Sequence, residues 1–196
     1  DGLQSARIRV GTKISDDDFH VRTDARWEGL GVAGLSLSPD ASRMCVTTVN
    51  LDKSSPEFNQ EGLAILDIAS GTVTNLLVEG DRRDHTPIIL SWAPDGKSVV
   101  CYCAPDAMAQ DATEMSYELD LVSLDGNVTT LAERCVRPAQ YGAVLEVGPF
   151  WSADGKTVYF VGNYEGDGAG LPPGYPLTYR VPAAGGAQQQ GDRLEP

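Results

Sequence analysis

Basic residues are scarce in this 196-residue chain: 15 Lys and Arg stand against 28 Asp and Glu, for a formal net charge of −13. A nucleic-acid binder needs a basic footprint to pair with phosphates, and an anionic membrane surface attracts the same cations, so the balance argues against both partners. Histidine is scarcer still: with only His20 and His85, a histidine-rich metal centre is excluded. Four cysteines are present, Cys45, Cys101, Cys103 and Cys135, but the single-residue spacer of Cys101-Tyr102-Cys103 is shorter than that of a zinc site. No metal and no cofactor is expected. No apolar run approaches the ~18 residues of a transmembrane helix. Asp1-Gly2-Leu3-Gln4-Ser5 is not a signal peptide, and a leader already removed leaves export open. Phosphate-binding Gly-x-x-x-x-Gly-Lys and dinucleotide fingerprints are also lacking.

What is present is a hydrophobic content of 41%, enough for a core, in a length that suits one domain or one and a small piece. Cys45, Cys101 and Cys103 fall in apolar runs and read as small apolar strand residues; a disulfide is not readable from sequence. Cysteines without obvious pairing favour a reducing compartment, hence the cytoplasm over the periplasm or the exterior.

An internal repeat sets the fold. Three segments align without gaps: residues 35–46, 90–101 and 149–160, with Asp40, Asp95 and Asp154 spaced 55 and 59 residues apart. Each is a short strand, a tight Pro/Ala-Asp turn and a strongly apolar strand, Met44-Cys45-Val46, Val99-Val100-Cys101 or Val158-Tyr159-Phe160. In Pro-Asp-Gly, proline presets φ, Asp bonds the backbone two residues on, and Gly takes positive φ. A second hairpin follows in each unit, turning at Ala69-Ser70-Gly71, at Asp125-Gly126 and at Ala183-Ala184-Gly185-Gly186. Each unit therefore reads as four antiparallel strands, a to d, the blade of a β-propeller. The expected division is 1–30 as the outer strands of a partial blade, then blades at 31–80, 81–133 and 134–196, the last with a polar C-terminal end. The fold class is all-β, about three and a half blades of an incomplete ring.

Trp92-Ala93-Pro94-Asp95-Gly96-Lys97 and Trp151-Ser152-Ala153-Asp154-Gly155-Lys156 resemble the propeller repeats of the prolyl oligopeptidase family, acylaminoacyl and dipeptidyl peptidases included. The second resemblance is to the periplasmic propeller of the Tol system and its relatives. The first unit departs, with Leu37 for Trp and Ala41 for Gly. In the peptidases the resemblance implies an α/β-hydrolase domain outside the propeller, its serine on a Gly-x-Ser-x-Gly elbow. No such elbow occurs here: Gly34-Leu35-Ser36-Leu37-Ser38 and Gly96-Lys97-Ser98-Val99-Val100 each miss the second Gly. No catalytic residue is expected in these residues.

Strand alternation puts the tight a–b and c–d turns on one side and every long connection on the other: 49–62, 79–87, 104–117, 133–147 and 163–175. Long loops on a rigid scaffold are where binding usually resides. Half of the 28 acidic residues fall in or beside these connections, against Lys53, Arg82, Arg83, Arg134 and Arg137. That is a field for cationic groups such as a peptide N-terminus, or simply a solvated acidic surface. The candidate binding residues are Arg82 and Arg83, able to clamp a carboxylate or to pair with Asp81 and Asp84, with His85 beside them. To these are added Tyr164, Glu165 and Tyr175 of the loop containing Pro172-Pro173-Gly174. Asp16-Asp17-Asp18 lacks calcium-loop spacing and reads as a hydrated turn. Trp92 and Trp151, at one blade position, read as blade-to-blade packing. The resemblance implies a segment that gates or binds peptide for a serine peptidase. A non-enzymatic binding propeller of the Tol or tricorn kind, or a half-propeller closed by self-association, are the alternatives.

Overall fold

The computed structural model describes residues 5–13, 19–28, 30–50, 53–54, 61–77, 86–104, 116–136, 148–163, 176–187 and 189–190. Among these there is no helix. Strands β1 (Ser5–Lys13) and β2 (Phe19–Glu28) pair from Ser5↔Glu28 to Lys13↔Phe19 as a separate hairpin. Blade 1 is one antiparallel sheet in chain order, β3 (Leu30–Leu37), β4 (Arg43–Asn50), β5 (Glu61–Asp67) and β6 (Val73–Leu77). Blade 2 repeats it with β7 (Thr86–Trp92), β8 (Ser98–Ala104), β9 (Ser116–Ser123) and β10 (Val128–Val136). Blade 3 holds β11 (Phe150–Trp151), β12 (Thr157–Asn163), β13 (Pro176–Pro182) and β14 (Gln189–Gln190). β1 runs close to β3, which sets the hairpin beside blade 1.

The turns explain the hairpins. Between strands a and b, the residue in the glycine position donates its N–H three residues back: Ala41 to Ser38, Gly96 to Ala93 and Gly155 to Ser152, each at 2.9 Å. All three have positive φ, 55°, 67° and 70°. Gly adopts that conformation without steric cost, whereas at Ala41 the β-carbon crowds a backbone oxygen, a cost of roughly 1–2 kcal/mol.

The core lies between blades. Successive β8 residues alternate in direction. Val99, Cys101 and Cys103 face blade 1 and pack with Cys45, Leu63, Ile65, Leu76, Trp92 and Val122. Val100 and Tyr102 face blade 3 and pack with Tyr117, Leu119, Leu131, Val158, Phe160 and Val181. Burial on both faces is why strand b reads as an unbroken apolar run. Each fully buried Val, Leu or Ile contributes roughly 1.5–3 kcal/mol before entropy. A polar staple repeats across both interfaces: Trp92 Nε1–H donates to the Ser36 carbonyl at 2.9 Å, and Trp151 Nε1–H to the Ser91 carbonyl at 3.2 Å. The two tryptophans are thus interblade contacts, as their repetition implied.

Blade 3 differs at strand a. β11 has two residues against seven in β7, and Pro149, which precedes it, has no N–H to extend the ladder. β11 pairs only with Tyr159 and Val158 of β12. The edge of β12 is met from blade 2 instead: Cys135 of β10 bridges Gly162, joining blades 2 and 3 into one eight-stranded sheet. The buried Val161 N–H donates to the Tyr102 hydroxyl at 3.1 Å.

Candidate functional site

All long connections leave from one end of the blades. The antiparallel registers place Asn50 and Glu61, Ala104 and Ser116, and Asn163 and Pro176 at the same strand ends, with Leu77, Thr86 and Val136 beside them. The chain leaves and re-enters the described strands at that end at Leu77 and Thr86 and at Asn163 and Pro176. The six residues singled out from sequence, Arg82, Arg83, His85, Tyr164, Glu165 and Tyr175, lie outside the described residues, as does Asp16-Asp17-Asp18.

The opposite end carries the tight turns, and these are acidic by design of the turn. Asp40 Oδ1 accepts from the Ser42 N–H at 3.0 Å and from the Ser38 and Ser42 hydroxyls at 2.7 and 2.8 Å. The Ser42 backbone donor first, then the two hydroxyls, hold its carboxyl down to about 2. Asp154 is lowered by the Ser152 hydroxyl at 2.6 Å and the Lys156 N–H at 3.1 Å. In the c–d turns, Asp67 is lowered by the Ser70 N–H and hydroxyl, and Asp125 chiefly by the Ser123 hydroxyl. Asn127, the first residue of a glycosylation sequon, uses its side-chain amide to bond Asp125 at 2.7 Å. A cleft of about 740 Å³ opens between the a–b turns of blades 2 and 3, lined by Pro94, Asp95, Trp151, Asp154, Lys156 and Ala183 among others. Its carboxylates already accept turn hydrogen bonds, Asp95 from the Lys97 N–H at 3.0 Å. They serve as structural acceptors.

Three of the thiols, those of Cys45, Cys103 and Cys135, are held in the protonated form. All four cysteines are free and buried. Burial pushes Cys45 up, and pushes Cys135 up to about 12. Cys103 is raised by its contact with Cys101, the sulfurs 3.7 Å apart, and then by burial. A protonated thiol is neither a nucleophile nor a metal ligand. Among the described residues no three His, Cys, Asp or Glu side chains group into a metal site, and no helix is long and apolar enough to cross a membrane. Sequence reading missed Asp120, which is buried in β9 and accepts from the Thr130 hydroxyl at 2.7 Å, and the Tyr102 bond. The Asp stands in the alternating pattern Leu119-Asp120-Leu121 of a strand, where a polar residue reads as solvent-facing.

No family model matches the chain, and no curated protein matches it. Solved structures do. A putative dipeptidyl aminopeptidase IV from Bacteroides ovatus has a TM-score of 0.59 at 15% identity, over 93% of this chain and 32% of its own. Prolyl endopeptidase has 0.55 at 17%, over 85% of this chain and 23% of its own. A putative TolB from Agrobacterium tumefaciens has 0.51 at 16%, over 93% of this chain and 59% of its own. The chain thus spans between about a quarter and three-fifths of these proteins. At such identities the likeness is one of fold. The described sheets form an incomplete all-β propeller, with four-stranded blades of the type these peptidases and TolB share.

Proposed function

We infer that this segment is the non-catalytic propeller part of a serine peptidase of the prolyl oligopeptidase type, admitting or binding peptide for a hydrolase domain that these residues do not contain. The observation that carries the reading is a likeness covering 93% of this chain but 32% of the dipeptidyl aminopeptidase. It accompanies a sequence with no Gly-x-Ser-x-Gly elbow. Peptide would meet the long-connection end, where acidic residues attract its N-terminal ammonium and Arg82 or Arg83 takes a carboxylate. His85, Tyr164, Glu165 and Tyr175 complete the contact set. The test is to read the coding sequence on both sides of this segment and label its product with a fluorophosphonate. An in-frame Gly-x-Ser-x-Gly elbow with later Asp and His, labelled at that serine, is the expected result. In that protein Arg82→Ala with Arg83→Ala should raise KM for peptides roughly tenfold, the loss of a charge-assisted hydrogen bond.

A second reading is a non-enzymatic binding propeller of the Tol kind, favoured by the larger share, 59%, of the TolB chain that the segment spans. A frame without the elbow, whose product retains a protein partner through the long-connection end, would establish it.

A further inference from the structure

The two interblade interfaces share their tryptophan staple and part at one repeat position, in the c–d turn of the later blade. The Leu124 N–H donates to the Lys97 carbonyl at 3.2 Å, and in blade 3 the Ala183 N–H donates to the Lys156 carbonyl at 2.9 Å. These bonds identify Leu124 and Ala183 as equivalents, and with them Asp125 and Ala184. Leu124 packs against the cluster that holds Cys45, Ile65 and Trp92. Ala183 offers only a methyl group to the cluster between blades 2 and 3. Ile65 pairs with Cys45 as Leu121 pairs with Val100, so these two are equivalent as well. Ile65 and Trp92 are 6% and 7% exposed, whereas Leu121 and Trp151 are half-buried. The cleft of about 740 Å³ is lined by Leu121, Trp151, Ala183 and Ala184. An alanine at the leucine position leaves its apolar floor uncovered.

The rim is anionic. Asp95 and Asp154 line the cleft beside one ammonium, Lys156. Asp40 and Asp125 accept turn hydrogen bonds through both carboxylate oxygens. Among the described residues Asp95 and Asp154 use Oδ1 alone, which leaves Oδ2 of each to accept from a cation. The volume falls in the range of roughly 300–1,000 Å³ that holds a small ligand or a few residues of chain. We propose that the cleft binds a short cationic peptide segment, which sets one branched aliphatic side chain over Leu121 and Trp151. That side chain takes the place that Leu124 fills between blades 1 and 2, and Leu124 thereby fixes its size. Lys or Arg residues on either side of it meet Asp95 and Asp154. An anionic segment is repelled by the two carboxylates and by a chain of net charge −13. The site lies at the tight-turn end, opposite the long connections, and holds whether the propeller serves a peptidase or a Tol-like binder.

The test titrates the chain with three capped peptides, acetyl-Lys-Leu-Lys-amide, acetyl-Lys-Ala-Lys-amide and acetyl-Glu-Leu-Glu-amide. The indole Nε1–H resonances of Trp92 and Trp151 are followed by NMR. The cationic leucine peptide should shift Trp151 saturably and leave Trp92 unmoved. The alanine peptide should bind roughly tenfold more weakly, from the loss of a partly buried isobutyl contact. The acidic peptide should not saturate. Ala183→Leu supplies the missing side chain from within the chain and should abolish saturation. Asp95→Asn keeps the Oδ1 acceptor of the turn, removes the charge and should weaken binding several-fold, a readout that stands even where the leucine variant does not fold. No saturable Trp151 shift up to roughly 10 mM of the leucine peptide would overturn the proposal. So would equal affinity for the three peptides, or unchanged affinity in either folded variant. A Trp151 shift that follows protein concentration without peptide would also overturn it, and would assign the cleft to a second copy.

Discussion

The two blade interfaces hold the same staple and differ in what fills the space around it. Between blades 1 and 2 the filling is aliphatic and sulfur-rich, with Cys45, Cys101, Cys103, Leu63 and Ile65. Between blades 2 and 3 it is aromatic, with Tyr102, Tyr117 and Phe160, the last stacked on Tyr179 at a ring distance of 5.7 Å. The strand-a pairings of the two blades also differ. β7 pairs with β8 from Thr86↔Ala104 to Trp92↔Val99. Among the described residues β11 holds two residues, and blade 2 meets the edge of β12 with a tyrosine hydroxyl and with β10.

The sharpest way to break the contrast is at Tyr102. Tyr102→Ala removes a buried ring and the acceptor for Val161, and should cost about 3–5 kcal/mol in a urea titration. Tyr102→Phe keeps the ring but strands a buried N–H, at about 1–3 kcal/mol. Cys101→Ala, in the other interface, should cost less than Tyr102→Ala, because fewer buried atoms are lost. Next in size are the staples: Trp92→Phe and Trp151→Phe should each cost about 1 kcal/mol, and similarly, if the hydrogen bond is the shared element of both interfaces.

The turns sharpen the comparison further. Ala41→Gly should stabilise by about 1 kcal/mol by relieving a left-handed alanine, and Gly96→Ala should destabilise by a similar amount, both read from thermal midpoints. The smallest effect expected is that of acid. Asp40, Asp67, Asp125 and Asp154 have folded-state carboxyls below their ordinary values. Their contribution to stability is therefore present above pH 4 and lost as pH falls through the folded values, for Asp40 down to about 2. Asp40→Asn should flatten the fall of the midpoint between pH 5 and pH 2; an unchanged profile would remove Asp40 from this account.

The blade repeat was legible because it rests on local chemistry: Pro-Asp-Gly turns, apolar strand-b runs and a tryptophan recurring from Trp92 to Trp151. The structure places strands on both sides of every one of those turns. Tyr102 was not legible, because its partner is a backbone N–H in another blade, 59 residues on. The positive φ of Ala41 accords with its place in the repeat, where Gly96 and Gly155 take the same left-handed conformation. Asp120 lies opposite Cys101 on the face toward blade 1, and period-two alternation cannot tell an outer surface from a face covered by a neighbouring blade. The candidate residues Arg82, Arg83, His85, Tyr164, Glu165 and Tyr175 belong to connections, where no strand periodicity constrains side-chain direction and only charge and residue type guide a reading.

The central claim, that neighbouring blades are stapled by indole-to-carbonyl hydrogen bonds, is tested most directly by exchange of the Trp92 and Trp151 Nε1 protons with solvent, followed by NMR. The account predicts that both exchange slowly and together, through an opening that parts the blades. Exchange of either proton at the rate of a free indole in the folded chain would contradict it.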